Sequence, residues 1–104
     1  MSVLRLGIIL STFVIISSPV HAGNPLEGKK VWEKHACPSC HGKDGIAVIP
    51  NVPSFAKGDR MIKSDRRLIV TITNGSRLMP SWKGILTSKQ MANVVTYIRT
   101  LRKT

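Results

Sequence analysis

Cys37-Pro38-Ser39-Cys40-His41 decides the reading of this chain. Two thiols stand two residues apart, and an imidazole follows the second. A zinc site would need four ligands. His35, Cys37, Cys40 and His41 crowd into seven residues, and nothing downstream offers a second pair. A redox-active disulfide between the two cysteines would want a βαβ setting, and the flanking sequence shows none. C-x-x-C-H is instead the pattern of c-type haem attachment. Thiols at this spacing, at the end of a helix, reach two vinyl groups along one side of a porphyrin. The adjacent histidine then turns its ring toward the iron.

The segment before the motif supports an exported chain. Arg5 and the free amine make the start of residues 1–22 positive, Leu6 to Ile16 is apolar except for Gly7, Ser11 and Thr12, and Ser17 to Ala22 carries small residues at the −3 and −1 positions. That is the pattern of a secretory leader cleaved after Ala22, and its apolar part is short for a bilayer span. Removing residues 1–22 from the 104 leaves 82, and the charge falls from +11 to +10 because only Arg5 is lost. The expected domain is 23–104, located in the periplasm and without stable membrane insertion. Export argues against nucleic acid as the target of the charge. A chain of 82 residues builds a marginal core and needs a staple. Two thioether bonds and an apolar macrocycle would supply one.

Helical signals flank the motif. Asn24, Pro25 and Glu27 form a helix start, and the helix is expected to run to about Ala36 with Gly28, Val31, Trp32 and His35 on one face. Gly42, Gly45, Pro50, Pro53 and Gly58 break the next stretch into loop. A loop of that length in so small a domain is expected to wrap something. Ser64 or Asp65 opens a second helix, which Asn74-Gly75 closes. Thr87 and Gln90 form a capping box for the last helix, with Leu86 placed to staple onto Met91. Met91, Val94, Val95, Ile98 and Leu101 form its apolar stripe, and Arg99, Arg102 and Lys103 complement its dipole. The expectation is an all-α domain of about three helices joined by long loops.

Electron-transfer haems pair histidine with methionine. Beyond the leader the methionines are Met61, Met79 and Met91. Met91 lies on an apolar helix stripe and reads as core. Met61 lies in the loop before the second helix and is the lesser candidate. Met79 stands in an irregular loop, and Pro80 biases it to an extended backbone. Met79 is therefore the expected second ligand opposite His41. His35 is too near Cys37 in sequence to reach the far face and reads as a helix-end residue.

These pieces, in this order, resemble a small bacterial class I c-type cytochrome. Gly28-Lys29-Lys30-Val31-Trp32, Cys37 to His41, Pro53-Ser54-Phe55, Asn74-Gly75, Leu78-Met79-Pro80 and Val94 to Ile98 carry the resemblance. It implies a cytochrome c fold, with the first and last helices crossing where Gly28 lets Tyr97 or its neighbours approach. Trp32 and Tyr97 would pack at that crossing. The Pro53 carbonyl would accept from Nδ1 of His41, with Pro50 the less favoured acceptor. Trp82 would cover the haem edge or reach a propionate, or else serve as ordinary loop packing.

The functional expectation follows. One haem c, bound through Cys37 and Cys40 and ligated by His41 and Met79, suits a monohaem carrier shuttling one electron between redox proteins. No paired carboxylates and no phosphate-binding glycine motif point to an enzyme. The basic side chains favour acidic redox partners, such as a dehydrogenase, reductase or terminal oxidase, and a free monomer. The competing expectations are a haem subunit of a larger oxidoreductase and a ligand-sensing haem with a labile methionine.

Overall fold

The structure, a computed structural model, describes residues 23–103 and the isolated Gly7 and Thr12. The expected leader otherwise lies outside the described residues. Four helices run in order: α1 (Pro25–Lys34), α2 (Pro38–His41), α3 (Asp65–Asn74) and α4 (Ser88–Thr100), with a 3₁₀ turn at Phe55–Lys57. Among the described residues there is no sheet, only two isolated bridges, Ser76 with Met79 and Lys83 with Leu86. α2 and the 3₁₀ turn add to the three expected helices. Each is under two turns long, too short for apolar periodicity to reveal.

The helix starts are built as the sequence implies. The Asn24 side chain accepts from the Leu26 and Glu27 N–H groups at 2.9 and 3.2 Å. Ser64 accepts from Arg67 N–H at 3.2 Å. Thr87 and Gln90 cap each other reciprocally, at 3.1 and 2.8 Å. These bonds satisfy amide donors that have no partner within the helix.

α1 and α4 make the main helix–helix contact, with α3 packed on α4. Gly28 sets the crossing distance. A Cβ there would lie 1.9 Å from the Asn93 carbonyl oxygen and 2.9 Å from Tyr97 Cβ. Asn93, buried on α4, accepts from the Asn24 N–H at 2.9 Å and ties the start of α1 to the crossing. Trp32 packs edge-on against Tyr97, ring centroids 5.7 Å apart. The core continues through Phe55, Met61, Leu68, Ile72, Leu86, Met91 and Val95. Burying this set supplies the main driving force for folding.

Candidate haem attachment site

The end of α1 places the motif. His35 is its C-cap, and Ala36 follows in the left-handed region with φ +56°. Cys37 N–H bonds back to the Trp32 carbonyl at 3.1 Å, and Ala36 N–H to the Glu33 carbonyl at 3.3 Å. This pair of bonds is a Schellman motif, with alanine where glycine is usual. It turns the chain sharply and delivers Cys37 at the start of α2. His41 N–H then bonds to the Cys37 carbonyl at 3.0 Å, closing one helical turn. Cys37, Cys40 and His41 therefore stand at i, i+3 and i+4 of that turn. Side chains so spaced share a face, which is the physical content of the C-x-x-C-H spacing.

The imidazole is oriented from behind. His41 Nδ1 donates to the Pro53 carbonyl at 3.2 Å. Nε2 is then the nitrogen left to ligate, and the tautomer is fixed as metal-bound histidines require. Phe55 stacks on the ring at 4.7 Å, and Trp32 lies 5.7 Å away. Burial pushes the His41 pKa down, and the smaller effect of the Pro53 carbonyl acts the other way. The neutral imidazole, the ligating form, is favoured.

The cysteines are unpaired and half-buried. Burial pushes the Cys37 thiol up to about 11. Thiol–disulfide exchange needs thiolate, and burial disfavours that form at Cys37.

Met79 is half-buried and packs against the same core cluster that Cys37 touches. Its loop is pinned at both ends. Ser76 and Met79 exchange backbone bonds of 3.0 and 2.6 Å, Ser81 Oγ donates to the Thr73 carbonyl at 2.6 Å, and Trp82 N–H donates to the Ile72 carbonyl at 3.1 Å. The other methionines are committed elsewhere. Met61 is 9% exposed, and Met91, 5% exposed, accepts from Thr73 Oγ1 at 3.1 Å. His35 meets Trp82 edge-on at 5.4 Å, joining the Met79 loop to the attachment segment. Nothing in the spacing of positions 35 and 82 signals this contact.

The residues present fit a haem. The donor set is two unpaired thiols, an imidazole with one nitrogen free, and a thioether in a pinned loop. Val48 N–H hangs from the Cys40 carbonyl at 3.0 Å, yet its side chain is left exposed, as are Ile46 and Leu78. These apolar residues stand close in sequence to His41 and Met79, and an apolar macrocycle held by the donors would have apolar partners in them. The Trp32 ring packs beside His41, and its indole N–H is buried with no acceptor among the described residues.

Known proteins agree. Residues 23–98 match the family described as cytochrome c oxidase, cbb3-type, subunit III. A cytochrome c6 of Nostoc sp. is 33% identical over 100 residues, covering 93% of this chain and 87% of its own. A cytochrome c6 of Rippkaea orientalis is 31% identical over 88 residues, covering 82% and 78%. A third, of Chlorolobion braunii, is 31% identical over 78 residues, covering 68% and 83%.

Proposed function

Because this chain belongs to the class I c-type cytochromes, we propose that it is a periplasmic monohaem carrier, cleaved after Ala22, that shuttles one electron at a time between acidic redox proteins. Its cofactor is haem c, and its role is electron transfer rather than catalysis. The observation that carries the proposal is the single turn that puts Cys37, Cys40 and His41 on one face while Pro53 holds the imidazole. Cys37 and Cys40 would hold the group covalently, and His41 Nε2 and Met79 Sδ would ligate its iron. A haem c held there supplies a one-electron Fe(III)/Fe(II) couple, with methionine raising the potential.

The protein's own part is rigidity and exclusion. Pro53 and Phe55 fix the His41 ring and backbone bonds pin the 76–82 loop that carries Met79; with both residues holding the iron, no position would remain for a substrate. Intact mass of the periplasmic protein tests this directly. A mass equal to residues 23–104 plus one haem supports cleavage and attachment together. A mass without haem contradicts the attachment.

The family match to an oxidase subunit favours one second reading, a haem subunit held in a larger complex. Size-exclusion chromatography of native extract separates the two. A free carrier elutes at the size of this chain, and a subunit elutes with the complex.

A further inference from the structure

The segment before and into α3 carries Lys57, Arg60, Lys63, Arg66 and Arg67, with Asp59 and Asp65 as its only carboxylates. Both carboxylates are engaged. Asp59 accepts from the Ser54 N–H at 2.9 Å, and Asp65 pairs with Arg99 at 2.6 Å. None of the five cations forms an ion pair among the described residues. Lys63, Arg66 and Arg67, with Val70 and Thr71, line a groove of about 240 Å³ that has no acidic side chain.

An apolar tip stands in the middle of this charge. Ile62 is 97% exposed. It is held there by design of the backbone. The Arg99 guanidinium donates to the Met61 carbonyl at 3.0 Å, to the Lys63 carbonyl at 2.7 Å and to Asp65 at 2.6 Å. Met61 is buried on one side of Ile62, and the carbonyls on both sides are clamped. Folding thus fixes a large aliphatic side chain outward between Arg60 and Lys63.

We propose that this face docks reversibly onto an anionic bilayer surface, with Ile62 entering the boundary of the acyl region and the Lys63, Arg66 and Arg67 groove holding phosphate headgroups. One apolar tip surrounded by unpaired cations combines the two terms of peripheral membrane binding, apolar insertion and attraction to anionic lipid. A protein interface would instead bury a packed apolar centre. Position argues the same way. Ile62 and Lys63 precede α3 and the groove runs from there along the helix to Thr71, whereas the Met79 loop follows the helix end, and a ten-residue helix is about 15 Å long. Insertion at Ile62, before α3 begins, keeps the Met79 loop beyond the other end of the helix for electron exchange, on the proposed ligation. A carrier held so would diffuse along the membrane between its partners.

The test is co-sedimentation of the holoprotein with vesicles of phosphatidylglycerol and phosphatidylcholine, against pure phosphatidylcholine, at low and physiological salt. Binding to the anionic vesicles alone, weakened by salt, is expected. Arg66→Gln and Arg67→Gln should each weaken it about fivefold. Ile62→Ser, which leaves the charge unchanged and removes no buried contact, should weaken it about tenfold, and Ile62→Leu should restore it. Three results overturn the proposal. One is an Ile62→Ser protein that binds like the parent. Another is displacement by inorganic phosphate beyond that of chloride at equal ionic strength, which marks a free-anion site. The last is absent vesicle binding with electron exchange to an acidic redox protein slowed by Arg66→Gln, which marks a protein dock. Met79→Ala should leave vesicle binding unchanged, so failure of the ligation reading is seen separately.

Discussion

His35 and Trp82 meet edge to face with ring centroids 5.4 Å apart, although 47 positions separate them in the chain. His35 caps α1 immediately before the attachment turn, and Trp82 is hung from the end of α3 through its N–H. The contact is therefore the aromatic link between the loop of Met79 and the segment that delivers Cys37. An aromatic pair is worth about 0.5–1.5 kcal/mol beyond its buried area. On the proposed ligation by Met79, Trp82→Leu and His35→Leu should each speed displacement of the methionine by added imidazole in the ferric protein by about fivefold. The double variant should be little faster than either single one. Stopped-flow spectroscopy checks this, and additive effects would show that the two rings act independently.

Ala36 occupies a left-handed position at φ +56°. An L-residue there is strained by about 1–2 kcal/mol, which glycine avoids at the cost of a more flexible unfolded chain. Ala36→Gly should raise the melting temperature by about 3–6 °C while leaving the visible spectrum unchanged. Thermal melts followed by circular dichroism measure it.

Gly28 has the opposite sensitivity. A methyl group there would meet the Asn93 carbonyl at 1.9 Å, and both are backbone-held. Gly28→Ala must push α1 off α4 and should cost about 1–3 kcal/mol. The melting temperature should fall by about 4–8 °C for each of those kcal/mol.

Much of this was written plainly in the sequence. The caps at Asn24, Ser64 and Thr87 are local, each made by a side chain and amides two or three residues on. The Gly28 crossing, the Trp32–Tyr97 contact and the Pro53 acceptor were legible through the family resemblance. What local pattern could not show is long-range. Arg99 reads as a cation placed on the dipole of α4, but its guanidinium is spent clamping residues 61–65, more than thirty positions away. The Schellman turn also hides, because an alanine stands at the position where glycine would have announced it. Met61 lies in loop sequence, and only the packing shows that it belongs to the core.

Tyr97 gives a pH signature. Burial, followed by the charges of Glu33 and Asp44, raises its pKa above the ordinary value near 10. A phenol harder to ionise in the fold than in the unfolded chain contributes stability that is complete below pH 10. That contribution is lost as pH rises through the higher folded value. Melting temperatures should therefore fall above pH 10 more steeply for the parent than for Tyr97→Phe, with no such difference between pH 6 and 8.

Met79 is the proposed second iron ligand beside His41. The ferric protein should show the long-wavelength charge-transfer band of thioether-bound iron. Met79→Ala should abolish that band and lower the reduction potential, while Met61→Leu, a core substitution, should preserve both. A band that survives in Met79→Ala would contradict the account.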